Sequence, residues 1–206
     1  MGRGVCCQFG AREFTLLPTA LRAADLPLKG GGEENAGDRA MSAQAHPRLA
    51  LRPLLPADVP LLREIFRDSI EELTGDDYTE AQQDAWASAA DDEKAFGKKL
   101  ASELTLIATM EGSPVGFAAL EGKDKIDMLY VHPAAAGQGI AAMLIDAMEK
   151  LAGGRGAAKL TVDASDTARG FFEKRGYVAQ QRNSVIVGDE WLANTTLSKQ
   201  LVKGGA

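Results

Sequence analysis

The chain has 206 residues, of which 45% are hydrophobic and 25% charged, with a formal net charge of −6 at pH 7. That length fits one domain with room for a tail, and the apolar share is enough for a buried core. The acidic balance argues against a nucleic-acid-binding role, which would want a basic face, and otherwise speaks to solubility before function.

No run of about 18 apolar residues occurs, so no membrane-spanning helix is expected. The stretch 14–28 comes nearest to a signal sequence, but Pro18, Arg22, Asp25 and Pro27 interrupt it, which points to a cytoplasmic protein. The two cysteines are the adjacent pair Cys6 and Cys7. Neighbouring cysteines rarely form a structural disulfide, and no histidine lies near enough to suggest a metal site.

Residues 1–40 hold seven of the 22 glycines, including Gly30 to Gly32, and balance five basic against five acidic residues. They lack periodicity and cannot bury much, so a disordered extension is expected, followed by a folded domain over 41–206. The segment 49–53 reads as a short strand ended by proline. An amphipathic helix is predicted over 57–73, with Val59, Leu62, Ile65, Phe66, Ile70 and Leu73 on one stripe and Asp58 near its start. Two shorter helices follow, over 79–87 with Thr79 as cap and over 91–100.

A β-rich centre comes next: strands over 104–110 and 115–120 joined by the turn-forming residues 111–114, then a third strand over 126–131. A long helix over 140–151 has apolar residues at 140, 143, 144, 147, 148 and 151, close to the helical period. A buried strand over 159–162 leads to a helix over 166–175 stopped by Gly176. Strands over 177–187 and 190–199 form a last hairpin turned at Gly188 and Asp189. Helices and strands in this order give an α+β layout around one mixed sheet.

The most informative segment runs from Tyr130 to Ala142, Tyr-Val-His-Pro-Ala-Ala-Ala-Gly-Gln-Gly-Ile-Ala-Ala. It leaves a strand, passes Gly137 and Gly139 and enters a helix, so main-chain N–H groups can approach a diphosphate unhindered. A single G-x-G occurs in many turns, and a dinucleotide fingerprint would want it after the first strand of the fold.

The context is more specific. Together with the downstream Ser165-Asp-Thr-Ala-Arg-Gly-Phe-Phe-Glu-Lys-Arg-Gly-Tyr177, this segment resembles the GNAT superfamily of N-acetyltransferases. Gly139 and Ala141 match the end of that family's Gln/Arg-x-x-Gly-x-Gly/Ala signature, while Ala136 stands at its Gln/Arg position. Ala168, Phe171, Glu173, Lys174 and Gly176 match the second motif; Ser165 replaces Asn, and Phe172 replaces a Tyr that often acts as general acid.

The resemblance implies a mixed, mostly antiparallel sheet flanked by helices, with a splayed central strand that binds acetyl-CoA. It implies transfer of the acetyl group to a primary amine by direct attack, the acceptor being a small molecule or a peptide. Leu129, Tyr130 and Val131 would pair with the pantetheine arm, the Leu129 N–H would polarise the thioester carbonyl, and Ala136, Gly137, Gln138, Gly139, Ile140 and Ala141 would hold the pyrophosphate. Ser165, Ala168, Phe171 and Phe172 would complete the coenzyme site.

Asp127 is the expected general base; His132 reads as a loop contact. With Phe at 172, the proton donor to the leaving thiolate is Tyr130, Tyr177, Ser165 or water. Tyr78, Gln82 and Trp86 recur at a helical spacing and are the expected acceptor-site residues, with Asn183 and Trp191 behind them. A non-catalytic acyl-CoA-binding module and another nucleotide-binding domain remain as alternatives, and the last strands could pair between two subunits.

Overall fold

The computed structural model describes residues 48–201. The expected N-terminal extension and the cysteine pair lie outside the described residues. One seven-stranded sheet organises the rest, in the order β1-β2-β3-β4-β5-β7-β6. Its strands are β1 (Leu49–Pro53), β2 (Leu104–Met110), β3 (Ser113–Glu121), β4 (Lys125–Val131), β5 (Lys159–Ser165), β6 (Val178–Val187) and β7 (Glu190–Gln200). Every neighbouring pair is antiparallel except β4 with β5.

Helices cover both faces. α1 (Val59–Leu73), α2 (Glu80–Ala87) and α3 (Glu93–Ser102) precede β2, and α4 (Ile140–Gly154) and α5 (Asp166–Lys174) follow β4 and β5. Leu62, Ile65, Phe66 and Ile70 of α1 close on Phe96, Phe117, Met128 and Tyr130 to make one core. Leu144, Ile145 and Met148 of α4 join Leu129, Val131, Leu160, Val162 and Phe172 in the other. Alternate residues of β4 thus enter opposite cores, the period of two that a strand imposes. Each fully buried large apolar side chain contributes about 1.5–3 kcal/mol. Among the described residues no helix is long and apolar enough to cross a membrane.

Three local differences from the sequence reading have plain causes. The stretch before α1 forms a separate 3-10 turn, Pro56–Asp58. Asp58 does not cap α1; its carboxylate takes both Arg52 nitrogens at 2.7 Å and the Leu55 N–H at 2.8 Å. β3 begins at Ser113, because Glu111 and Gly112 alone make the hairpin turn, with φ of 51° and 87°. Pro114 then sits beside a register shift, where a strand tolerates a residue without an N–H. β5 continues to Ser165, whose hydroxyl accepts the Ala168 N–H at 3.2 Å and caps α5.

Candidate active site

The parallel pair β4–β5 has only two registered pairs, Lys125 with Thr161 and Ile126 with Val162. Beyond them β4 runs on to Val131 and β5 to Ser165 without pairing, so the sheet opens into a V. On its other edge β4 stays bonded to β3, and the ladder ends with the His132 N–H donating to the Val115 carbonyl at 2.9 Å. An antiparallel strand alternates its bonding edge. Tyr130 and His132 therefore face β3, while Leu129 and Val131 turn their backbone groups toward the V.

The glycine turn lies at the open end. Gly137 and Gly139 have φ of 75° and 82°, values that side chains rarely tolerate, and a Cβ on either would meet nothing within 4 Å. Among the described residues, the N–H groups of Gly137, Gly139, Ile140, Ala141 and Ala142 have no acceptor. The last three belong to the first turn of α4, where the helix supplies no intrahelical partner and the dipole is positive. His132 fixes the turn's start: its Nδ1 accepts the Ala134 N–H at 3.1 Å, so Nε2 carries the proton, 3.5 Å from Asp68.

A cleft of about 700 Å³ joins this turn to α5 and to the loop after α1, with Val131, Gly137, Gly139, Phe171, Lys174 and Asp77 among its lining residues. The loop is fastened across the V: the Tyr78 hydroxyl accepts the Asp166 N–H at 2.9 Å and donates to the Ala193 carbonyl at 2.7 Å. The Thr167 hydroxyl donates to Asp77 at 2.7 Å. Open N–H groups, a cationic Lys174 and the Phe171 side chain around one cleft fit a phosphorylated, partly apolar ligand such as coenzyme A.

The expected coenzyme residues divide in two. Val131, Ala136, Gly137, Gly139, Ile140, Ala141 and Phe171 line the cleft. Gln138 turns back and donates to the Ala134 carbonyl at 3.0 Å. Ala168 and Phe172 are wholly buried, Phe172 edge-on to Tyr177, and Ser165 is spent on the α5 cap. Leu129 likewise keeps its side chain in the core and offers only its backbone.

The expected catalytic and acceptor side chains lie elsewhere. Asp127 is 1% exposed and paired with Lys99 at 2.8 Å. Lys99 also holds Glu103 at 2.9 Å. Burial would lower the Lys99 pKa, but its bonds to Asp127 and Glu103 outweigh that and raise it. Asp127 is thus a buried ion-pair partner rather than a carboxylate open to substrate. The Tyr130 ring lies between Phe66 and Phe117, with centroids 4.5 and 5.4 Å away. Gln82 closes the α2 capping box with Thr79 and donates to the Trp191 carbonyl at 2.7 Å. Trp86 is buried against Tyr78, so Tyr78 and Gln82 bond to β7 while Trp86 packs behind Tyr78. Thr167 has no signal in the sequence, and Lys174 is marked there only as part of the Glu-Lys-x-Gly motif.

Relatives with known folds share this frame. A family model described as an acetyltransferase (GNAT) domain matches residues 74–192. The chain belongs to the GNAT family. The uncharacterized N-acetyltransferase YafP of Escherichia coli (strain K12) is 32% identical over 146 residues, 71% of this chain and 92% of its own length. A crystal structure described as the GCN5-related N-acetyltransferase: aminotransferase, class-II from Rhodopseudomonas palustris is 61% identical, with a TM-score of 0.74 over 80% of this chain and 100% of that one. The PaiA N-acetyltransferase from Thermoplasma acidophilum, solved in complex with coenzyme A, shares the fold at 17% identity, with a TM-score of 0.63 over 74% of this chain and 99% of that one.

Proposed function

We propose that this acetyltransferase moves the acetyl group of acetyl-CoA to a primary amine by direct attack, in the cytoplasm. The observation that carries the reading is the set of unengaged N–H groups of Gly137, Gly139, Ile140, Ala141 and Ala142 at the mouth of the β4–β5 V. They would take the pyrophosphate, with Lys174 adding a positive charge at the rim. The outward edge of β4 would pair with the pantetheine arm, and the Leu129 N–H would face the thioester carbonyl, where a fixed donor lowers the barrier as negative charge develops. Phe171 would cover the apolar stretch of the ligand.

Ala136 leaves the turn without the long polar side chain common at that place in the family, so the grip on the phosphates rests on the main chain. Phe172, wholly buried, donates no proton. A thiolate leaves without a strong acid because its conjugate thiol has a pKa of about 8.5.

Calorimetry with acetyl-CoA, NAD and ATP tests the ligand, and thiol release across a panel of amines tests the transfer. Binding of acetyl-CoA alone, followed by thiol release with at least one amine, is the expected result. Acetyl-CoA binding without turnover on any amine would favour a non-catalytic acyl-CoA-binding module, a reading supported by the pinned Asp127 and the buried Phe172.

A further inference from the structure

The V between β4 and β5 begins after Ile126 and Val162. The first residue beyond that point is Asp127 on β4 and Asp163 on β5, so two carboxylates flank the apex. They differ in freedom. Asp127 is closed off by Lys99 and the helix it belongs to, whereas the Asp163 side chain keeps 27% of its surface exposed.

Leu160, Val162 and Ala164 point into the core under α4 and α5, so the alternation of β5 sends Thr161, Asp163 and Ser165 to the other face. There Asp163 pairs across the sheet with Thr196 and Ser165 with Asn194, while Asn183 of β6 lies opposite Asn194. These side chains form one polar row. The Thr196 hydroxyl donates to Asp163 Oδ1 at 2.6 Å and accepts from Asn183 Nδ2 at 2.8 Å, and the same nitrogen donates to Asn194 Oδ1 at 2.9 Å. The row holds the carboxylate in place through one oxygen and spends no cation on it at hydrogen-bond distance. Lys125 stands 3.6 Å from Oδ2 and is nearer to Glu121, at 3.2 Å. Asn194 is buried, and its amide donors have no partner among the described residues, nor has Asn183 Oδ1.

We propose that Asp163 receives the ammonium group of the acceptor at the apex of the V and takes its first proton, with Asn183 and Asn194 left to bind a polar group on the same acceptor. This rests on the acetyl transfer proposed above. The nitrogen gives one proton to Asp163, and its freed lone pair forms the N–C bond as the C–S bond breaks with its electrons on sulfur. The second proton lost by nitrogen ends on that sulfur. A carboxylate already held by Thr196 loses little freedom on binding a cation, which is the advantage of preorganisation.

The test uses the full chain with isotope-labelled amides, saturated with coenzyme A and titrated with ethylammonium chloride as the probe. The expected result is a set of shifts centred on residues 163, 194 and 196, lost in Asp163→Asn and kept in Asp127→Asn. Asp163→Asn keeps the size of the side chain and its bond from Thr196, and an intact amide spectrum checks its fold. Asp163→Glu serves as the second variant and should recover part of the pattern. For any amine that the wild type acetylates, Asp163→Asn should lower kcat/KM by about 100-fold or more, with calorimetric affinity for acetyl-CoA unchanged. Shifts that miss this row, or that survive in Asp163→Asn, overturn the assignment. Failure to bind acetyl-CoA at all overturns instead the acetyl transfer on which it rests, and the two failures are read separately.

Discussion

The hydroxyl of Ser69 donates to the carbonyl of Val131 at 2.7 Å, joining α1 to the end of β4 across 62 positions of sequence. The peptide group that follows Val131 is held on both sides, since its N–H, that of His132, donates to Val115 at 2.9 Å. The glycine turn leaves from that peptide, so α1 sets its direction. Ser69→Ala leaves a buried carbonyl without its donor, a loss of about 1–3 kcal/mol. Urea unfolding should register it, and calorimetry should show weaker acetyl-CoA binding as the turn loosens. An unchanged affinity in a destabilised variant would confine Ser69 to the core.

Gly139 opens α4 with φ of 82° and empty space where a Cβ would stand. A substituted residue pays about 1–2 kcal/mol for the left-handed conformation, and its side chain enters the cradle. Gly122, in the β3–β4 turn, has φ of 61° and equally open surroundings, but lies away from the cleft. Gly139→Val and Gly122→Val should therefore both lower the melting temperature. Only Gly139→Val should lose acetyl-CoA affinity, by about tenfold or more, equivalent to about 1.4 kcal/mol. Equal affinities in the two variants would remove the turn from the coenzyme site.

The contrast between Gly139 and Asp127 shows what the sequence discloses. A glycine turn between a strand and a periodic helix is a local pattern, and local geometry follows from local residues, so the cradle was legible. So were the strands β2 and β7 and the caps at Thr79 and Gly176. Asp127 was legible as a polar residue on a central strand, but not its fate. Lys99 reaches it from α3 and holds Glu103 beside it, and nothing in the spacing of those residues announces the contact. The same holds for Tyr78, Gln82 and Trp86: β7 takes the bonds of the first two, and Trp86 is buried against the Tyr78 ring. Asp163 went unnoticed for a like reason, since its partner Thr196 arrives, with Asn183 behind it, only when the last hairpin folds back beside β5.

Tyr78 makes the clearest case for a structural role over an acceptor contact. Its hydroxyl accepts from the Asp166 N–H and donates to the Ala193 carbonyl, and so ties the loop after α1 to both α5 and β7. Tyr78→Phe removes both bonds and retains the ring against Trp86. A stability loss of about 1–3 kcal/mol is expected, with faster amide exchange at Asp166. A variant that melts like the wild type but raises KM for the amine would return Tyr78 to the acceptor site.

Glu103 gives the ion-pair cluster a pH signature. Burial raises its pKa above the ordinary 4.5, the bond from Lys99 pulls the other way, and the like charge of Asp127 adds to the rise. A carboxyl whose folded pKa lies above its unfolded value binds more protons in the folded state. Its contribution to stability is then fully present below pH 4.5 and is lost as pH rises through the folded pKa. Asp58 behaves in the opposite sense: the Arg52 guanidinium holds its pKa below 3.8, so its contribution is present above that value and fades as pH falls through the folded pKa. The wild-type profile therefore mixes the two, and the difference between wild type and Glu103→Gln isolates the first. Chemical denaturation across the acid range should show Glu103→Gln gaining on the wild type as pH rises above 4.5. A constant difference across that range would mean that Glu103 titrates alike in the folded and unfolded chains.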